Sequence, residues 1–188
     1  MNGKLIIFSA PSGSGKTTIV HRLMGIVEGL EFSVSATSRA PRGAEQNGKD
    51  YYFLSAEEFD SKIAEDAFVE WEEVYAGTKY GTLRSEMERI WSKGHTILFD
   101  VDVKGGVRLK EIFGSQALSI FVMPPSVEEL RNRLVGRATD SPEKIEQRIA
   151  KAGEELGYAE RFDRVVVNDN LDEAVEQVRS IVTAFIAE

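Results

Sequence analysis

Eight residues near the amino terminus, Ala10-Pro11-Ser12-Gly13-Ser14-Gly15-Lys16-Thr17, have the types and spacing that hold a polyphosphate. The apolar run Leu5 to Phe8 precedes them and a helical pattern follows, so a strand enters the loop and a helix leaves it. Gly13 and Gly15 let the backbone wrap, so that successive N–H groups face phosphate oxygens at the positive end of that helix. Lys16 then reaches the β- and γ-phosphates, and the Thr17 hydroxyl suits a magnesium ion. Ala10 stands where the pattern usually has its first glycine, and alanine is small enough to keep the turn. A glycine-rich turn that merely contains Lys-Thr is the competing reading; strand, loop, lysine and helix coinciding argue against it.

Further along, Ile97-Leu98-Phe99-Asp100 ends an apolar strand in a carboxylate, the Walker B arrangement that helps hold magnesium beside a phosphate loop. An ordinary strand exit gives the same pattern, so the assignment leans on the loop. Asp102-Val103-Lys104-Gly105 fits the Asp-x-x-Gly of GTPase switches, but no Asn-Lys-x-Asp guanine-reading motif accompanies it. Arg131, Arg133, Arg137 and Arg148 gather around the polar link Gly136 to Ser141, a candidate flap; Arg131 reads as a solvated helix face. His21 and His95 read as structural, and Trp71 and Trp91 as packing residues.

Composition narrows the classes. With 188 residues, 42% hydrophobic and 29% charged, the chain suits one globular domain able to bury a core. A net charge of -8 is the wrong sign for holding nucleic acid by phosphate neutralisation, so an anionic ligand must meet a local basic cluster. Zero cysteines exclude disulfides and thiolate zinc sites, and two histidines are too few for a histidine-built metal centre. No apolar run approaches the roughly 18 residues of a membrane span, and the start lacks a targeting pattern. The expectation is a soluble cytoplasmic protein without membrane, nucleic-acid or obligate protein partner.

Apolar runs at Leu5 to Phe8, Ile97 to Phe99, Leu118 to Val122 and Val165 to Val167 predict strands covered on both faces. Helical patterns follow at Thr17 to Val27, Gly106 to Ile112, Ser126 to Val135 and Leu171 to Ile186. Capping boxes are expected at Ser55 with Glu58 and Ser126 with Glu129, and Pro142 opens a helix to about Tyr158. This alternation is that of an α/β protein with a mainly parallel sheet. An inserted stretch from about Ser35 to Thr82, with strand-like pieces at Tyr51 to Leu54 and Phe68 to Tyr75, predicts a β-containing subdomain.

That insert begins Ser33-Val34-Ser35-Ala36-Thr37-Ser38-Arg39-Ala40-Pro41-Arg42-Gly43 and runs through Asn47-Gly48-Lys49-Asp50-Tyr51-Tyr52-Phe53 to Phe68-Val69-Glu70-Trp71 and Tyr80-Gly81-Thr82. Here the chain resembles the guanylate kinases, the nucleoside monophosphate kinases with a P-loop. The likeness covers nearly the whole sequence, from the phosphate loop through Pro124-Pro125-Ser126-Val127-Glu128-Glu129-Leu130 to Val167-Asn168-Asp169. It implies a P-loop NTPase-type parallel sheet flanked by helices, in one domain. Its core would be residues 1–34, 83–135 and 159–188, with a GMP-binding subdomain at about 35–82 and a lid at about 136–158.

The resemblance further implies transfer of the γ-phosphoryl group of ATP to GMP with Mg2+, in purine metabolism. Arg39, Arg42, Tyr51 and Tyr80 would hold the monophosphate, and Ser35, Glu70, Thr82 and Asp102 would read the base; the family more often has serine at the position of Thr82. Ala10 to Thr17 would bind ATP with Arg133 and Arg137, Thr17 and Asp100 the metal, and Lys16, Arg39, Arg137 and Arg148 would be catalytic. Asn168 and Asp169 would hold adenine, or else form a strand-ending turn and helix cap before Leu171. Independently, two arginines with two tyrosines make a phosphate-binding donor set. A carboxylate accepts the paired N1–H and N2–H of guanine, whereas adenine presents a ring acceptor and leaves it unpaired, at roughly 1–3 kcal/mol. A P-loop kinase for another small acceptor, or a non-catalytic interaction module on the same scaffold, are the rival readings.

Overall fold

A computed structural model describes residues 3–75, 77–136 and 141–188; Arg137 and most of the polar link after Gly136 lie outside them. In chain order the elements are β1 (Leu5–Ser9), α1 (Lys16–Ile26), β2 (Leu30–Phe32), β3 (Ala36–Thr37), β4 (Tyr52–Phe53), α2 (Ala56–Ala64), β5 (Phe68–Tyr75) and β6 (Thr78–Leu83). They continue with α3 (Arg84–Trp91), β7 (Thr96–Asp100), α4 (Val103–Phe113), β8 (Ala117–Met123), α5 (Val127–Gly136), α6 (Pro142–Leu156), β9 (Arg164–Val167) and α7 (Leu171–Ala187). The chain divides into a smaller unit built on Glu31–Ile97 and a larger one built on Lys4–Leu30 and Leu98–Glu188.

The central sheet has the order β2-β7-β1-β8-β9, with β1 and β9 both parallel to β8. This is the expected P-loop NTPase-type parallel sheet flanked by helices. Every residue of β1 is buried, as are all but Met123 of β8, which explains their unbroken apolar sequences. Beneath β8, Phe121 meets Phe162 at 5.4 Å in a core shared with Val103 and Val107 of α4. The last strand departs from the expectation of two covered faces. Val166 is buried, but Val165 and Val167 are 40% and 48% exposed, because β9 ends the sheet and only one of its faces is covered.

The smaller unit carries a four-stranded sheet in the order β4-β3-β6-β5, in which β6 is antiparallel to both neighbours. Ala36, Phe59, Phe68 and Leu83 form its core, with Phe59 stacked on Phe68 at 4.4 Å. The capping box at Ser55 and Glu58 closes in both directions and starts α2. At Ser126 only the hydroxyl bond to Glu129 N–H forms; the Glu129 carboxylate turns to Arg133 instead. Four elements gave no sequence signal. β2 and β3 are two or three residues long, β6 mixes polar residues with Gly81, and α3 lacks a side-chain cap at Leu83. Trp71 proves 38% exposed rather than packed; it sits on β5, the edge strand of this sheet.

Glu31 ties several elements of the smaller unit together, accepting hydrogen bonds from Arg89, Lys93 and His95. Burial opposes its ionisation, but the bonds from Lys93, Arg89 and His95 outweigh this and bring its carboxyl from 4.5 down to about 2. A folded-state value below the unfolded one stabilises the fold above pH 4.5, and the benefit is lost as pH falls towards 2. Glu31→Gln should therefore lower the thermal midpoint at pH 7, with the gap from wild type closing between pH 4.5 and 2. Thermal unfolding followed across that range checks it; a gap that does not change with pH refutes the linkage.

Candidate active site

Parallel strands deliver their carboxyl ends to one edge, where α/β proteins bind ligands. In the larger unit β1 ends at Ser9, β7 at Asp100 and β9 at Val167, and Val101 N–H donates to the Phe8 carbonyl at 3.1 Å. At this edge a cleft of about 350 Å³ is lined by the loop from Ala10 to Thr18 together with Asp100, Val101, Asp102 and Glu155. The loop residues expected to bind a triphosphate thus line a single cleft with Asp100.

Two glycines make the loop. Gly13 and Gly15 have φ of +96° and +90°, where a side chain is strained. A Cβ on Gly15 would also lie 2.2 Å from the Asn168 amide nitrogen, and one on Gly13 would lie 2.9 Å from Leu130. Asn168 explains the crowding: its side-chain N–H donates to the Ser14 carbonyl at 2.7 Å, its backbone N–H donates to Met123, and its own carbonyl accepts from Arg133. Buried at the end of β9, it clamps the loop. The cap before α7 is neither Asn168 nor Asp169 but Asn170, whose side chain accepts from Asp172 and Glu173 N–H; Asp169 is exposed.

Lys16 forms an ion pair with Asp100 and donates to the Val101 carbonyl at 3.2 Å. Thr17 and Asp100 bring two hard oxygen donors to the same cleft. Asp102 caps a helix. Its Oδ1 accepts from Gly105 N–H at 2.7 Å, the helix cap that starts α4 at Val103, three residues before the sequence pattern suggested. Among the arginines, Arg133 is held by Glu129, Arg131 pairs with Glu146, and Arg148 donates to Ser12 Oγ at 3.3 Å. Glu155, which no motif flagged, also faces the loop; burial pushes its carboxyl up, and Asp102 adds to this.

In the smaller unit, Arg39 lies over the Tyr51 ring at 4.9 Å and donates from Nε to the Tyr80 hydroxyl at 3.1 Å; Tyr51 and Tyr80 meet edge to face at 5.9 Å. Having accepted from Arg39, the Tyr80 hydroxyl keeps its proton to donate elsewhere. Glu45, missed in the sequence, accepts both ends of the guanidinium at 2.7 and 2.8 Å and the Arg42 N–H at 2.7 Å. Those bonds bring the Glu45 carboxyl to about 2. Its only sequence signal was a position three residues beyond Arg42. Glu70 and Thr82 are directly opposite on β5 and β6, and the Thr82 hydroxyl donates to Glu70 Oε1 at 2.7 Å. Tyr80 and Thr82 share one face of β6, so the phosphate-type donors and the carboxylate line the same side of the sheet. Ser35 is half-buried, and its carbonyl accepts from Tyr52 N–H; Arg42 is exposed.

A guanylate kinase sequence profile matches residues 2–185. The chain belongs to the guanylate kinase family. Guanylate kinases of Porphyromonas gingivalis and Bacteroides thetaiotaomicron are 56% and 53% identical to it; the alignments cover 98% and 99% of this chain and 98% and 91% of theirs. The crystal structure of guanylate kinase from Anaplasma phagocytophilum superposes with a TM-score of 0.76 at 32% identity, covering 99% of this chain and 87% of that one. Family and fold are those the motifs implied, and among the described residues no helix is long and apolar enough to cross a membrane.

The Asn168 clamp yields a direct test. Asn168→Ala removes the amide that holds the Ser14 carbonyl, so the KM for the triphosphate should rise roughly tenfold while that for the acceptor stays put. Steady-state kinetics with each substrate varied in turn measure it; an unchanged triphosphate KM would mean the loop holds its shape without Asn168.

Proposed function

We propose that this chain transfers the γ-phosphoryl group of ATP to GMP, giving ADP and GDP, with ATP on the loop of the larger unit and GMP on the sheet of the smaller. The observation that carries the reading is the smaller unit's one-sided arrangement of Arg39, Tyr51 and Tyr80 with the Glu70–Thr82 pair, in a chain that keeps the loop lysine. A phosphate ester meets the arginine and tyrosines, and guanine's N1–H and N2–H meet a carboxylate whose plane Thr82 sets. Ser35 and Arg42 complete the assignment in the smaller unit; the family resemblance also names Asp102, which lies in the larger unit and caps α4.

In the reaction an oxygen of the GMP phosphate attacks the γ-phosphorus in line, and the bond to the oxygen bridging to the β-phosphate breaks. The nucleophile is already an anion, so no strong general base is required, and catalysis is alignment with charge neutralisation. Lys16 leaves Asp100 to serve the β- and γ-phosphates, and Arg39 exchanges Glu45 for the acceptor phosphate. Arg148 reaches the phosphate loop from α6, and with Arg137 and Arg133 it supplies charge from the lid region, whose closure keeps water from the phosphoryl group. The donors suit magnesium: the Thr17 hydroxyl and the Asp100 carboxylate are hard oxygens, and among the described residues no cluster of three acidic or histidine side chains would hold the ion without nucleotide. Bound with ATP, the ion would offset charge on the β- and γ-phosphates.

A coupled assay comparing GMP, AMP and CMP as acceptors tests the substrate, and turnover itself separates an enzyme from an interaction module. GMP should be preferred by orders of magnitude; equal use of AMP would sink the guanine assignment. Lys16→Met should abolish transfer while GMP binding, measured by calorimetry, survives. Glu70→Gln should raise the KM for GMP by about tenfold or more with little change for ATP, since an amide offers one acceptor and turns a donor towards guanine's N–H groups. A GMP KM within twofold of wild type would show that Glu70 does not read the base.

A further inference from the structure

The smaller unit holds a buried carboxylate that the reaction does not use. Glu86, in the first turn of α3, is 2% exposed. Its Oε1 accepts from Val34 N–H at 3.0 Å and from Arg89 at 2.8 Å; its Oε2 accepts from the Tyr52 hydroxyl at 2.9 Å and from Arg89 Nε at 2.8 Å. These four bonds fill the carboxylate's acceptor sites, and Arg89 matches its charge. Burial alone would raise the Glu86 carboxyl, yet the bonds from Arg89, Val34 and Tyr52 lower it, so the group stays ionised in place. Arg89 in turn is anchored by Glu31.

Resting on the GMP reading above, we propose that Glu86 is a positioning residue for the acceptor site, fixing the two strand segments that present Ser35 and Tyr51. Val34 immediately precedes Ser35, and Tyr52 immediately follows Tyr51. Tyr52 is pinned at both ends, its N–H on the Ser35 carbonyl at 2.9 Å and its hydroxyl on Glu86. Successive strand residues point to opposite faces, so holding Tyr52 on one face sets how Tyr51 leaves the other, where it meets Arg39 and Tyr80. One carboxylate thereby governs the spacing between a residue assigned to the base and one assigned to the phosphate. An apolar side chain at 86 would fill space but direct neither Val34 N–H nor Tyr52.

The test is steady-state kinetics on the full chain with GMP and ATP varied separately, beside thermal midpoints. Tyr52→Phe deletes one bond and keeps the Glu86–Arg89 pair, so the variant should fold. Its GMP KM should rise about three- to fivefold, with kcat and the ATP KM within twofold of wild type. Glu86→Gln should raise the GMP KM about tenfold, and adding Tyr52→Phe to it should cost little more, because both act through one node. A lowered midpoint with both Michaelis constants unchanged, or a parallel rise in both, would reduce Glu86 to a general brace and overturn the proposal. Should Glu86→Gln fail to fold, Tyr52→Phe alone decides. Glu70→Gln run alongside separates the two failures. If it raises the GMP KM and Tyr52→Phe does not, the positioning role falls alone; if neither does, the base-site reading falls with it.

Discussion

The ion pair between Lys16 and Asp100 is the interaction on which the larger unit's chemistry turns. Each side chain is only about one-sixth exposed, so the pair has shed most of its water and needs further bonds to be favourable; Lys16 finds one at the Val101 carbonyl. It ties the first residue of α1 to the last residue of β7. The loop between β1 and α1 must then fold tightly enough to let the lysine reach that edge, which demands glycine at 13 and 15, and a clamp from Asn168 to keep it there. Sheet order, loop shape and lysine position are one constraint seen at three scales.

The same logic recurs at three of the assigned cations. Arg39 rests on Glu45, Lys16 on Asp100 and Arg133 on Glu129, so each cation is aimed before a phosphate arrives. In the proposed reaction, binding is an exchange of anionic partners and not the filling of a bare positive pocket. On that reading a net charge of -8 is no obstacle to an anionic ligand: the repulsion is diffuse and screened over about 10 Å, whereas the exchanged contacts are short. It also accounts for the planar arginine in the acceptor site, because its fork accepts a carboxylate or a phosphate with the same two N–H vectors.

How far the sequence could be read followed the range of the interactions involved. The phosphate loop and its flanking elements were legible because a buried strand, a glycine turn and a helix are local patterns. Glu70 and Thr82 lie twelve residues apart and meet only through the register of β5 and β6, so the family resemblance named them while residue patterns alone did not. Glu45, Glu86 and Glu155 were missed because a carboxylate within a charged sequence looks like solvated surface until the fold pairs it, as at Glu45, or buries it, as at Glu86 and Glu155. The Asp102-x-x-Gly105 pattern, set aside as a switch for want of a guanine-reading motif, is a helix cap, which uses the same residue types. β9 looked like an interior strand because Val165-Val166-Val167 is uniformly apolar, and composition does not report a missing neighbour.

That missing neighbour has a bearing on how the chain survives at high concentration. β2 and β9 end the sheet, the positions at which a strand of another molecule adds, and β9 also exposes two valines. β9 carries Arg164 at its start, and both strands stop at three or four residues. Borders this short leave little ladder for a copy to pair with, so the parallel sheet that gathers the chemistry at one edge offers only brief sides for strand addition.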